Sequence, residues 1–277
     1  MTHHNWDDVQ AASQRIRERW TGTPRIGLVL GTGLGALARE IEAELTLPYT
    51  EIPHFPRSTV TSHAGQLVCG RLAGHSVMAM EGRFHLYEGY SPSQVTFPIR
   101  VMKELGCEFL IVSNASGGLN PLFRKGDLVV IEDHINLMGA NPLIGPNDER
   151  LGPRFPDLIE PYDQSLQQIA LDVALEQNIV AHRGVYVGVV GPNLETRAEY
   201  RFLRGIGADV VGMSTIPEVL VAVHAGMKVL GFSIVTDMCL PDALQPVRIE
   251  EIIAVANAAE AQLRTIVTKV LQRLPGS

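Results

Sequence analysis

Apolar positions along the chain change their spacing repeatedly, and each change predicts an element. Trp6, Val9, Ile16 and Trp20 fall near a 3.6-residue period and predict an opening helix that ends before Thr21-Gly22-Thr23-Pro24. Residues 26–30 (IGLVL) are continuously apolar, as in a strand covered on both faces, and lead at once into the glycine turn GTGLG and the helical pattern LGALAREI. Short apolar runs of the same kind predict strands over 66–72, 76–80, 109–115, 127–133, 184–190, 208–213 and 228–237. Helices are predicted over 91–105, 161–177, 195–205, 216–226 and 248–272. In the last, Ile249, Ile252, Ile253, Ala256, Leu263, Ile266, Val267 and Val270 share one face, which predicts packing across a sheet. Helices alternating with fully apolar strands imply an α/β fold, a central mixed β-sheet flanked by helices. No linker-like composition or internal repeat divides the chain, so a single domain over 1–277 is expected, with 1–24 as N-terminal helix and lead-in.

Composition narrows the function. The formal net charge is −7, with 19% charged residues, which argues against a nucleic-acid or membrane-surface binder. Glycine (26) and proline (17) are frequent enough to indicate many tight turns, and a coiled coil is excluded. Three widely spaced cysteines, Cys69, Cys107 and Cys239, suggest neither a disulfide framework nor a zinc knuckle. The first residues lack a basic and then apolar leader pattern, and 209–240 is interrupted by Glu218, His224 and Lys228, so a cytoplasmic protein is expected. No HExxH occurs, and His63, His85, His134 and His224 are scattered, so no metal site is expected; His134 and His224 read as hydrogen-bonded interior residues.

Several segments carry candidate chemistry. Gly31, Gly33 and Ala36 fit the dinucleotide fingerprint G-x-G-x-x-A, with Glu51 as a possible ribose ligand, although Glu51 sits in the proline-rich LPYTEIPHFP. The same loop can instead cradle an anion with Thr32 and backbone N–H groups, or be a structural turn. In EGRFHLYEGY (81–90), an extended backbone would put Arg83, His85 and Tyr87 on one side and Phe84 and Leu86 on the other, unless the segment is a solvated edge. SNASGGLNP (113–121) lets the backbone approach a ligand closely or merely turns the chain. In GVVGPNLETRAEY, Glu195 is either a ligand carboxylate or a helix cap. VGMSTIPE and SIVTD bring Ser214 and Asp237 to two further strand ends.

Together these segments resemble the trimeric purine nucleoside phosphorylases. GTGLG, SHAGQLVCG (62–70), EGRFHLYEGY, NASGGLNP, EDHINLMGANPLIGPND (132–148), RFPDL, GPNLETRAE and GADVVGMSTIPEV occur in the expected order from about residue 25 to 270. The resemblance implies a homotrimer without metal or organic cofactor that uses inorganic phosphate to release a purine base and ribose 1-phosphate. It implies that Thr32, His63, Arg83, His85, Ala115 and Ser214 surround phosphate, with Thr32 where the family more often has Ser. Tyr87 and Met213 would hold the ribose, and Glu195 would accept from the purine N1–H. Asn114, Ala115, Val211 and Gly212 would line the base pocket, and Phe155 would reach into the neighbouring subunit's site. His85, Glu195 and Asp237 are the expected catalytic set.

Two positions depart from the 6-oxopurine members. Asp237 stands where they carry Asn; an ionised carboxylate only accepts, which suits the 6-amino group of adenine, whereas a protonated one could donate to N7. Near PVRIEE the family's 5′-hydroxyl-binding His has no counterpart, and the aligned position is Ile249 or its neighbour Arg248; an apolar group there is similar to the related methylthioadenosine phosphorylases. The alternatives are therefore a 6-aminopurine preference, a nicotinamide-dependent oxidoreductase built on GTGLGA, and a noncatalytic purine-binding protein.

Overall fold

The computed structural model describes residues 4–31, 35–58 and 64–274. The chain runs α1 (Trp6–Arg17), β1 (Ile26–Leu30), α2 (Gly35–Ala38), β2 (Glu42–Pro48), β3 (Gln66–Leu72), β4 (His75–Glu81), α3 (Pro92–Leu105), β5 (Phe109–Gly118) and β6 (Leu128–Asn136). It continues through α4 (Gln164–Glu176), β7 (Ala181–Gly188), α5 (Arg197–Gly205), β8 (Val210–Gly212), α6 (Ile216–His224), β9 (Lys228–Met238) and α7 (Ile249–Arg273). Helix starts fall where side-chain oxygens can take the first free amides: Asn5, Ser91, Asp163 and Thr196 each accept from the backbone three residues on.

Among the described residues the strands form one sheet in the order β2-β3-β4-β1-β5-β8-β7-β6-β9, and β9 also pairs with β5. That extra pairing closes β5, β8, β7, β6 and β9 into a ring, leaving β2 as the free edge. The sheet is mixed: β1 is parallel to β4 and β5, β5 is parallel to β9, and β8 is antiparallel to β5. Two apolar layers cover it. One joins α1, α3 and α6 through residues such as Ile16, Phe97 and Val219, and the other joins α4 and α7 through Val173, Leu263 and Val267. This is the single-domain α/β architecture expected from the strand pattern. No helix among the described residues is long and apolar enough to cross a membrane.

The register of β9 against β5 contains one irregularity, near the C-terminal ends of both strands. Ser116 faces Val235, but Gly117 faces Asp237, so Thr236 is an extra residue on β9. A bulge of this kind breaks the two-residue alternation and lets consecutive side chains reach the same face.

Three expectations are corrected. β2 was not expected, because its alternation of Glu42 and Glu44 with Ala43 and Leu45 ends in Pro48; an edge strand accepts both features. The segment 81–90 is not extended throughout: Leu86–Glu88 forms a 3₁₀ turn after His85, closed by Gly89 at φ 92°. The helical pattern LGALAREI yields only one turn, α2, where the Ala36 N–H donates to Glu260 Oε1 of α7.

Candidate active site

A cavity of about 350 Å³ opens where β5, β8 and β9 meet the segment after β4. Arg83, His85, Tyr87, Asn114, Ala115, Glu195, Val211, Gly212, Met213, Ser214 and Asp237, from distant parts of the chain, all line it. Thr32 and His63 lie outside the described residues. Phe155 is 86% exposed and does not line this cavity; its ring lies under the Arg154 guanidinium.

One end of the cavity is built around a buried ion pair. Arg83 is 2% exposed and its Nε donates to Glu218 Oε1 at 2.9 Å, with Nη2 also 2.9 Å from that oxygen. Nη1 donates to the Ser113 carbonyl at 2.5 Å and to Ser214 Oγ at 3.4 Å. Glu218 projects from the otherwise apolar α6 and is equally buried, so each charge relieves the other of an otherwise severe desolvation cost. The guanidinium fits because residue 31 is glycine: a Cβ there would stand 2.6 Å from the Ser113 carbonyl oxygen and 3.1 Å from Nη1.

Ser214 is held by backbone strain. Thr215 has φ 71° and ψ −52°, and the Ile216 N–H donates to the Ser214 carbonyl at 2.8 Å across it. This is a γ-turn of the rare positive-φ kind, and for a β-branched residue it costs free energy that its surroundings must offset. The surroundings do so. The buried Tyr186 hydroxyl donates to the Ser214 carbonyl at 3.3 Å and accepts from its N–H at 3.2 Å. Asn114 Nδ2 donates to Thr215 Oγ1 at 2.9 Å, while Ser233 Oγ lies 2.5 Å from Asn114 Oδ1 and 2.6 Å from Ser116 Oγ. Burial pushes the Tyr186 phenol up to about 12, so it serves as a neutral brace. Asn114 therefore borders the cavity but spends its amide on this network.

His85 and Tyr87 stack at 4.6 Å on the cavity's side wall. Glu88 Oε1 accepts the His85 N–H at 2.8 Å and lies 2.8 Å from its Nδ1, which fixes the ring. Burial, then the Glu88 charge, pushes the Tyr87 phenol up to about 12.

The opposite end holds two carboxylates. The bulge at Thr236 delivers both Thr236 and Asp237 to the cavity. Asp237 Oδ2 accepts from the Cys239 thiol at 3.2 Å, and Oδ1 lies 3.1 Å from Thr236 Oγ1, a hydroxyl also 3.1 Å from the Ser116 carbonyl. Burial pushes the Cys239 thiol up, so it stays protonated as a donor. Glu195 stands next to the N-cap of α5; Thr196 and Glu199 make the capping box, so the cap reading of Glu195 is excluded. Burial raises the Glu195 carboxyl above its ordinary 4.5, its own backbone and the Tyr200 hydroxyl pull it back, and the Asp237 charge raises it further. The Tyr200 hydroxyl stands close enough to interact with both Cys239 and Glu195. A chain of contacts thus joins the two acids: Glu195, Tyr200, Cys239, Asp237.

The third wall is apolar. Ile249, Ile252 and Ile253 of α7 line the cavity, and Ile249 is 60% exposed. The expectation that all of this helix face packs across the sheet is corrected: only the stretch from Ala256 onward does so. Glu218, Tyr200 and Cys239 were not expected. A carboxylate interrupting the apolar run 216–224 is the signal that marks Glu218; nothing local marks the other two.

The dinucleotide reading fails on geometry. Glu51 follows an antiparallel edge strand and pairs at the surface with Arg15 and Arg19, at 3.6 and 3.3 Å. His134 meets the Tyr162 hydroxyl at 3.2 Å, and His224 lies 3.4 Å from Asn147 Oδ1, both as interior residues whose basicity burial lowers.

Known proteins match over nearly the whole chain. Residues 25–272 match the family model of the phosphorylase superfamily. Purine nucleoside phosphorylase 1 of Geobacillus stearothermophilus is 52% identical over 266 residues, 96% of this chain and 97% of that one. The Schistosoma mansoni purine nucleoside phosphorylase superimposes with a TM-score of 0.95 in complex with inosine, at 41% identity over 100% of this chain and 99% of that one. In complex with adenosine it gives 0.95 at 42% identity, over 100% of each chain. With a fold and a sequence that both agree with theirs, this chain belongs to the purine nucleoside phosphorylase family of the phosphorylase superfamily.

Proposed function

We propose that this chain catalyses the reversible phosphorolysis of purine ribonucleosides and 2′-deoxyribonucleosides, giving the free base and (2-deoxy)ribose 1-phosphate. The observation that carries the reading is the pairing of a buried, pre-oriented cation at one end of the cavity with two acceptor carboxylates at the other. Phosphate lies against Arg83, His85, Ser214 and the Ala115 backbone, together with Thr32 and His63. Tyr87 and Met213 hold the ribose between it and the base. As the C1′–N9 bond breaks, its electron pair leaves with the purine and a phosphate oxygen bonds to C1′. The sugar passes through a cationic state that the adjacent phosphate stabilises, and the fixed geometry removes much of the entropic part of the barrier. Glu195, ionised, accepts from N1–H and any 2-amino group of the leaving base, which grows more anionic as it departs. Inorganic phosphate is the co-substrate, and no metal or organic cofactor takes part.

The exposed Phe155 suits a contact with a second copy, so the working unit is a homotrimer in which Phe155 closes the neighbour's base pocket. A second reading is favoured by two observations. Asp237 faces a thiol donor on Oδ2 and a hydroxyl on Oδ1, the surroundings of a hydrogen-bond acceptor that would take a 6-amino group. The isoleucine wall suits an apolar 5′ substituent. Adenosine and methylthioadenosine are then substrates beside inosine and guanosine. Release of base from all four, measured with and without phosphate, tests both readings. The first is lost if no nucleoside is cleaved in a phosphate-dependent manner, and the second if only inosine and guanosine are.

A further inference from the structure

Outside the nucleoside cavity, the N-terminal region brings three potential metal ligands together. His4 Nδ1 lies 3.4 Å from Asp8 Oδ2, and His54 Nε2 lies 3.5 Å from Asp8 Oδ1. One ligand atom from each residue falls within 4.8 Å of the others. We propose that His4, Asp8 and His54 form a site for one divalent transition-metal ion of the zinc type, joining the start of α1 to the turn after β2.

The state of His4 carries the proposal. Its side chain is only 6% exposed, the ring lies 4.3 Å from that of Phe97, and among the described residues neither ring nitrogen has a hydrogen-bond partner. The 3.4 Å approach to Asp8 is an ion-pair distance without hydrogen-bond geometry. A buried imidazole with both nitrogens idle is costly unless something not made of protein uses one of them. If Asp8 merely bridged two imidazoles, a closer donor-to-acceptor contact would be expected on at least one side.

The donor set fits the ion. Two imidazoles and one carboxylate, with a fourth position for water, is a zinc ligand count, whereas magnesium and calcium want oxygen alone. Tetrahedral zinc separates its ligands by about 3.3 Å; His4 stands near that spacing from Oδ2 of Asp8 and His54 from Oδ1, so movements of the rings toward a shared oxygen and toward each other complete the set. His54, 41% exposed on a turn, has room to do so. Asp8 is already oriented, because its Oδ2 accepts the Asn5 N–H at 3.1 Å in the capping box of α1.

The test is a titration of the full chain with Zn²⁺ against a chromophoric chelator, alongside thermal denaturation with and without Zn²⁺. One ion per chain is expected, with a rise in Tm. His54→Ala and Asp8→Asn should each weaken binding by about tenfold or more and remove the rise in Tm. His54→Ala leaves the buried His4 in place, so the result does not depend on a variant that disturbs the core. Failure of the wild-type chain to compete with the chelator overturns the proposal. So does binding that both variants retain, since that ion sits elsewhere. The outcome is independent of phosphorolysis, because none of the three residues lines the nucleoside cavity.

Discussion

The two ends of the cavity solve opposite problems. At the Arg83 end the polar groups are buried and closely tied to one another: guanidinium to Glu218, Ser113 and Ser214, Thr215 to Asn114, Ser214 to Tyr186. At the Glu195 end two like charges share a half-open space, linked through Tyr200 and Cys239 and faced by exposed isoleucines. In the function proposed above, the first is a rigid seat for an ion that is the same in every turnover. The second, in the same reading, is an acceptor wall whose protonation and partners can be retuned. Rigidity belongs where the ligand is invariant, and adjustable chemistry where it is not.

Breaking the rigid end should cost most. Arg83→Met is expected to lower kcat/KM for inosine by about 10²–10³ or more in steady-state assays. The stranded Glu218 should also destabilise the fold by about 3–5 kcal/mol in urea unfolding. Adding Glu218→Leu should restore stability but not turnover, which would separate the seat's two jobs. Equal recovery of both would refute the role of Arg83 at the phosphate.

At the adjustable end, Glu195→Gln should reduce kcat/KM for inosine and guanosine by about 10–100-fold, the loss of a charge-assisted hydrogen bond. Because the Glu195 carboxyl titrates above its ordinary 4.5, activity should fall with decreasing pH earlier than an unperturbed glutamate would allow. The Gln variant should lack that acid limb.

Asp237→Asn sharpens the contrast. It should move the ratio of adenosine to inosine kcat/KM toward inosine by about tenfold. It should also shift the acid limb to lower pH, because the Asp237 charge is one of the causes that raise Glu195. Tyr200→Phe should have the smallest effect on rate, about two- to tenfold. It should move the limb the other way, to higher pH, since the Tyr200 hydroxyl holds the Glu195 carboxyl down. Shifts in the same direction would show that the two carboxylates are not linked as described.

Much of this was legible in the sequence. Continuous apolar runs located the central strands, because a strand covered on both faces leaves no room for polar residues. The motif segments placed Arg83, His85, Tyr87, Ser214, Glu195 and Asp237 in one cavity. What escaped depends on pairing between distant segments. Glu218 looks like an interruption of an apolar helix until Arg83 is found beside it. Tyr200 and Cys239 belong to no local pattern, and meet only because α5 and the end of β9 both abut the cavity. β2 has the composition of a solvated segment because its exposed face is real. The isoleucines of α7 share one apolar stripe with core residues, and a period cannot tell a wall facing ligand from one facing sheet.

The extra residue in β9 has a bearing on how such a site diversifies. Since side chains alternate strictly along a regular strand, removing Thr236 would close the bulge and leave Asp237 opposite Gly117 directly after Val235, so the cavity would keep the carboxylate and lose the hydroxyl beside it, with the upstream ladder untouched. The set of groups standing beside that carboxylate is therefore governed by strand length as well as by residue identity, and insertions or deletions near the end of this strand are a way to alter the cavity wall in addition to point substitution.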